Sequence, residues 1–240
     1  MRSALKIYLR LNARRTLTLV IGCLGLVWGI RSLPSSEAAD EFWAIEGQIL
    51  RFETFSKTTL ARILESQVSR DLNACDTHSQ RAMLLMEMPL AEAALQSGTT
   101  NEFDRLIEAL ETRTRRMLSC TPRESFAWLL TFNLEVLHGL LNERAFDLLA
   151  MSYETSPNEA WISIRRIIVA MPIVLVAPEP LRQRILFEFR QLIRYGFVEE
   201  AARSYSSVSG PIRSLLQTQI DQLDPREQKV FSDALQSLRS

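Results

Sequence analysis

The stretch TPRESFAWLLTFNLEVLHGLLNERAFDLLAMSYETSPNEA, residues 121–160, decides the fold class. Two patterns of period 3.6 run through it, over 124–140 and 143–153, and they part near Gly139 and Asn142. Each end is punctuated alike. Thr121-Pro122-Arg123-Glu124 and Ser156-Pro157-Asn158-Glu159 set a capping hydroxyl before a proline that suits the first helical position and a glutamate that suits the third. A pair of helices joined by a tight turn follows from this reading.

The same punctuation recurs outward. Asp224-Pro225-Arg226-Glu227 repeats it, and Thr77-His78-Ser79-Gln80 and Thr99-Thr100-Asn101-Glu102 have the spacing of a reciprocal capping box. Further helices are expected over 181–195, 197–205, from Gly210-Pro211 and over 225–238, with 171–180 as a proline-rich connector. Pro89 is expected to kink or split the helix that begins near Ser79, because it lacks an amide donor and clashes one turn back. Only eight glycines occur, and neither Asn-Gly nor Asp-Gly, so no strand or hairpin turn is signalled. The fold class is all-α.

The N-terminus has a different character. Arg2, Lys6, Arg10, Arg14 and Arg15 precede an uncharged run, and no acidic residue occurs before Glu37. This is the pattern of a signal or membrane anchor with its basic end in the cytoplasm. The expected organisation is a cytoplasmic basic segment over 1–15, a transmembrane or signal segment over 16–33, a linker and long amphipathic helix over 34–76, and an exported helical domain over 77–240. The fifteen residues 16–30 rise only ~22 Å as a helix, which favours a cleaved signal over a span. Snorkelling Arg14, Arg15 and Arg31, together with Trp28 at interfacial depth, favours a retained anchor, and Ser36-Glu37-Ala38 offers a cleavage site. Val20-Ile21-Gly22-Cys23 also has the look of a lipoprotein processing box, although apolar sequence continues past the cysteine. The expected location is a bacterial inner membrane, with the bulk of the chain periplasmic.

Six of the 28 basic residues lie at or before Arg31, which leaves 22 against 28 acidic ones beyond it, a net of −6. Such a domain has no general pull toward nucleic acid, and no nucleic-acid partner is expected. Cys75 and Cys120 fall in the part placed in an oxidising compartment and are expected to form a disulfide. Phe42, Ile45, Ile49, Phe52, Leu60, Leu64, Val68 and Leu72 form an apolar stripe over 42–72. That face packs on its own domain or on a second copy, which would make a homodimer.

Thr121 and Ser156 stand 35 residues apart, and Ser156 and Asp224 stand 68 apart, close to twice 34. A helix pair of about 34 residues is the tetratricopeptide period, and the chain resembles the tetratricopeptide-like helical repeat proteins. Counting back from Pro157 places Ala145 and Leu149 where that family keeps a small and a bulky packing residue, with Leu129 and Phe132 in the preceding helix. The chain departs from the pattern in lacking the family's Gly-Tyr pair and in an early turn at Gly98. The frame also puts a helix start near Phe189, inside the pattern Leu181, Ile185, Phe189, Leu192. Degenerate repeats or an irregular bundle both fit; the resemblance implies a scaffold presenting a groove to another protein. With two cysteines bracketing helical hairpins and Ser156-Pro157-Asn158-Glu159-Ala160-Trp161 opening a later helix, the exported part is similar to small anchored proteobacterial envelope proteins associated with exopolysaccharide assembly. That similarity implies an accessory role in polysaccharide production or export.

No HExxH, GxSxG, Walker loop or dinucleotide fingerprint occurs, so no catalytic, cofactor or metal residues are assigned. His138 is assigned a structural role at a helix end. Glu124, Glu135, Glu143, Asp147 and Glu159 read as caps or solvated faces. Arg113, Arg115, Arg116 and Arg123 cluster within eleven residues, and Arg182, Arg184, Arg190 and Arg194 recur along one helix. Guanidinium forks suit carboxylates, so the first cluster is the candidate for binding a partner's acidic face or an anionic glycan. Trp128 and Trp161 read as packing residues. The expected function is a membrane-anchored scaffold binding an envelope protein. The alternatives are a carboxylate-dependent enzyme acting on envelope glycans, or a self-associating structural membrane protein.

Overall fold

The computed structural model describes residues 16–29, 42–50, 55–65 and 72–238, and among them every regular element is a helix and no strand occurs. The chain divides into two compact units, residues 1–83 and 84–240.

In the first unit, residues 16–29 are helical and face solvent with Leu17, Leu19, Ile21, Leu24, Leu26 and Trp28, each more than half exposed. Among the described residues no helix is long and apolar enough to cross a membrane. The basic segment 1–15 and residues 30–33 of the expected anchor lie outside the described residues. Residues 42–50 are helical and bury Phe42 and Ile45. The single amphipathic helix expected over 42–72 is interrupted. Ser56 is extended, and its hydroxyl accepts the Thr59 N–H to start a separate helix, α1 (Lys57–Leu64), with Leu60 buried. Residues 51–54 and 66–71 lie outside the described residues. Glu46, 5% exposed, is held by Arg81 Nη1 at 2.6 Å and by His78 Nδ1 at 2.9 Å. The Trp43 and His78 rings stand 5.0 Å apart.

Helix α2 (Thr77–Ser97) begins in the first unit and ends in the second. Pro89 lies inside it without splitting it, flanked by the buried Leu84, Leu85, Met86, Ala91 and Ala94. The expected disulfide joins Cys75 and Cys120, whereas Cys23 is an exposed free thiol.

The second unit continues with α3 (Thr100–Cys120), α4 (Ser125–Leu137), α5 (Glu143–Thr155), α6 (Ala160–Ala170), a 3-10 turn (Met171–Ile173), α7 (Glu179–Arg194), α8 (Val198–Ser207), α9 (Gly210–Ile220) and α10 (Pro225–Ser237). The expected hairpin is α4 with α5. Ser125 Oγ donates to the Ser152 carbonyl at 2.9 Å near one end, and Arg144 meets Glu135 at 3.7 Å near the other, so the two run antiparallel. Gly139 turns the chain at φ 76°, a conformation in which a side chain would be strained, while the Leu140 N–H returns to the Glu135 carbonyl at 2.9 Å. Leu129, Leu130 and Phe132 of α4 are buried, as are Ala145 and Leu149 of α5. Further along, Phe231 of α10 takes Phe189 and Tyr205 edge-on at 5.9 and 5.7 Å.

Of the five proposed helix starts, Thr99 and Asp224 stand at the N-cap as read, and the capping box forms at Asp224. Its carboxylate accepts from Arg226 N and Glu227 N while Glu227 reaches back, completing the capping box. At Thr121 the residues expected to open the helix instead make a turn, with Glu124 N–H on the Thr121 carbonyl, and α4 starts at Ser125. Trp128 Nε1 donates to the Pro122 carbonyl at 2.8 Å, which satisfies that carbonyl outside a helix. At Ser156 the carbonyl accepts from Arg166 Nη1 at 2.9 Å, and α6 starts four residues on at Ala160. Asp76, rather than Thr77, caps α2 through the Ser79 N–H, and Thr99 makes no side-chain cap because its hydroxyl turns back to the Ala94 carbonyl.

Candidate functional site

The most polar feature of the second unit lies inside it. Arg166 is fully buried. Its Nε and Nη2 donate to Glu188 Oε1 at 2.9 and 2.6 Å, and its Nη1 donates to the carbonyls of Ser152 and Ser156, both at 2.9 Å. Nη2 also reaches Ser163 Oγ at 3.3 Å, and Nη1 reaches Ser125 Oγ at 3.4 Å. The guanidinium lies 4.4 Å from the centre of the Tyr153 ring, whose hydroxyl donates to Glu188 Oε2 at 2.8 Å. An isolated buried charge costs several kcal/mol, and here each is paired and hydrogen-bonded. Burial pushes the Glu188 carboxyl above its ordinary range, against the pull of Arg166. Burial, and then the charge of Glu188, raises the Tyr153 phenol well above 10.

This network forms part of the floor of an open cleft of about 790 Å³ between α5, the α5–α6 turn and α7. Tyr153, Ser163 and Glu188 face it from below. It is also lined by Glu154, Pro157 and Asn158 and, along α7 and at its end, by Arg184, Phe187, Gln191 and Tyr195. The last four recur at spacings of three, four and four along α7, so they share one face. Phe187 is 52% and Tyr195 73% exposed. Arg184 meets Glu154 only at 3.7 Å, with both about half exposed. Pairs of that kind contribute little.

The arginines singled out in sequence are dispersed. Arg113 makes a forked pair with Glu87, from Nε at 3.1 Å and Nη2 at 2.8 Å, and so serves α2–α3 packing. Arg115 and Arg116 are exposed on α3, and Arg123 is exposed in the turn before α4. Arg182 folds back on the carbonyls of Val174, Leu175 and Ala177, Arg190 binds Gln222, and Arg194 binds Glu227. Of these eight, Arg184 alone lines the cleft. His138 caps α4 and pairs with Glu111 at 2.7 Å. Among the described residues no group of three or more His, Cys, Asp or Glu could hold a metal ion. Trp161 packs on Phe126 at 5.9 Å, and Arg165 lies over its ring.

Sequence reading missed Arg166, Glu188 and Tyr153. The signal was present: Arg166 sits on the buried stripe Ile162, Ser163, Ile167, Ala170, and Glu188 on the stripe Leu181, Ile185, Leu192. Two opposite charges on the apolar faces of neighbouring helices foretell a buried pair. No family model, curated protein or solved structure matches the chain.

Proposed function

We propose that the chain is a membrane-tethered, periplasm-facing helical scaffold that binds another envelope protein through the α5–α7 cleft. One observation carries this: an open cleft with exposed Phe187 and Tyr195 stands on a floor fixed by the Arg166–Glu188 pair. Exposed rings on a rigid base are what protein-binding hot spots use. The solvent-facing apolar helix over 16–29, behind five basic residues, supports the tether. The resemblance to envelope proteins makes an accessory role in exopolysaccharide production or export the setting of choice.

A second reading has its own observation. Glu154 and Glu188 both line the cleft, and burial raises the second, two of the features a glycan-cleaving acid pair needs. Against it, both Glu188 oxygens are occupied, by Arg166 and Tyr153, and the side chain is 7% exposed.

The test is capture of the detergent-solubilised full-length protein from its native membrane, with mass spectrometry of co-purifying proteins and of its own N-terminus. The scaffold reading expects a stoichiometric envelope protein, lost in the Phe187→Ala/Tyr195→Ala variant, and an uncleaved terminus. A chain recovered alone with its terminus near Ala39 would overturn it. Glycan cleavage abolished by Glu154→Gln would establish the enzyme instead.

A further inference from the structure

We propose that one end of the second unit, formed by the α4–α5 turn and the segment between α6 and α7, is a lipid-contacting surface that seats leucine and valine side chains in the face of a bilayer. The proposal takes only the tether from the scaffold reading and adds a second point of membrane contact, on the folded domain itself.

Helix directions bring the two segments to one end. Because α4 and α5 run antiparallel, the turn over 138–142 stands where α4 stops. Arg166 reaches the Ser152 carbonyl across the tight turn over 156–159, so α6 runs back along α5. The rings of Phe126 and Trp161 lie 5.9 Å apart, which sets the starts of α4 and α6 together at the opposite end. Residues 171–178 are thereby delivered to the end that carries 138–142.

The two ends differ in chemistry. Leu137, Leu140, Leu141, Ile168, Leu175 and Val176 are between 39% and 62% exposed. Neither 136–142 nor 167–178 contains Asp, Glu, Lys or Arg. The turns at the other end, over 121–124 and 156–159, expose Pro122, Arg123, Pro157, Asn158 and Glu159 instead. Exposed leucines scattered singly are ordinary on a protein surface, whereas six aliphatic side chains gathered at one end mark a contact.

The backbone identifies lipid as the occupant. A segment entering lipid must pair its own N–H and C=O groups, since the bilayer offers no partners. Between α6 and α7 the Val174 N–H returns to the Met171 carbonyl at 3.2 Å, and those of Val176 and Ala177 return to the Ile173 carbonyl at 3.0 and 3.1 Å. Arg182 takes the carbonyls of Val174, Leu175 and Ala177, and Pro172 and Pro178 have no N–H to satisfy. In the α4–α5 turn the N–H groups of His138, Gly139 and Leu140 return to Leu134, Val136 and Glu135. The exposed side chains agree with the backbone: all six are aliphatic, while protein-binding hot spots draw on Trp, Tyr and Arg and make little use of Leu and Val. Apolar side chains without rings or charges suit the headgroup and acyl boundary. The exposed apolar helix over 16–29, behind its basic segment, is what brings a bilayer to the chain.

The experiment reconstitutes the full-length protein in vesicles of phosphatidylethanolamine and phosphatidylcholine, part of the latter carrying a diazirine in its acyl chain. After irradiation, labelled peptides are mapped by mass spectrometry. Labelling of 137–141 and 173–176 is expected at about fivefold or more above that of the turns 121–124 and 156–159, which remain in water. The unaltered chain gives this result, so it stands apart from any effect of substitution on folding. Leu140→Ser/Leu141→Ser/Val176→Ser should then lower labelling of the end to the level of those turns, with circular dichroism unchanged. Labelling confined to 16–29 would sink the inference and leave the tether. Labelling of the end without 16–29 would overturn the tether and leave the inference, and labelling of neither would overturn both. Two chains cross-linked through Leu140→Cys, with no lipid label at that end, would assign it to a second copy and overturn the proposal.

Discussion

The guanidinium of Arg166 and the carboxylate of Glu188 meet at 2.6 Å, the first with no solvent exposure and the second with almost none. Charges placed there are held by partners on four segments of chain, so the effect of removing one depends on what is left behind.

Replacing Arg166 alone with Met should destabilise the protein by about 3–5 kcal/mol, because it strands a buried carboxylate and two serine carbonyls. The double variant Arg166→Met/Glu188→Leu should recover much of that loss, since two apolar groups replace the pair. Urea unfolding of the four proteins, Glu188→Leu alone included, measures the coupling; a double variant no better than Arg166→Met would show that the carbonyl bonds, not the ion pair, carry the stability.

Tyr153 sets an alkaline limit. An unfolded tyrosine ionises near ~10, and the folded value is raised well above that. The contribution is therefore complete below about pH 10 and is lost as pH climbs from the unfolded value through the raised one, at ~1.4 kcal/mol per pH unit. Tyr153→Phe should flatten that decline while weakening the protein at neutral pH through the lost bond to Glu188. Urea midpoints between about pH 9 and 11 test this, and equal slopes in the two proteins would contradict it.

The Cys75–Cys120 disulfide closes a loop of about 45 residues, for which the chain-entropy model gives up to ~4 kcal/mol. Reduction should lower the melting temperature, and Cys75→Ser/Cys120→Ser should abolish the effect of reductant. Under denaturing, non-reducing conditions one thiol, Cys23, should titrate in the uncleaved chain; three would rule out the bond.

Asp224→Ala should cost ~1 kcal/mol, with amide exchange accelerated mainly in α10, because the carboxylate accepts from two otherwise orphaned N–H groups. Uniform acceleration across the second unit would instead mean that α10 opens only with the whole.

How much of this could be read beforehand varied with the range of the interaction. The α4–α5 hairpin, the turn at Gly139 and the Asp224 cap depend on residues within a few positions of each other, and the sequence reading placed them. At Thr121 and Ser156 the same local grammar misled, since Trp128 takes the Pro122 carbonyl and Arg166, ten residues away, takes that of Ser156. The cleft needed more: residues of α5, the α5–α6 turn and α7 line it together, and α6 and α7 are joined by a pair 22 residues apart in sequence. Of the first arginine cluster, Arg113 is taken up by Glu87, an acceptor 26 residues away that its own neighbourhood in sequence does not indicate, while Arg115, Arg116 and Arg123 stay exposed.

Arg166 belongs to α6, yet it holds Glu188 of α7, Ser152 of α5 and, less closely, Ser125 of α4. Stacked helical units that touch only their immediate neighbours can fray one at a time from an end. A side chain reaching two helices back and one forward forbids that economy: α4 through α7 must form or dissolve in a single event. Force applied to either terminus of this array should meet one barrier there, and any truncation that ends between Ser125 and Glu188 should leave no folded remnant of the four.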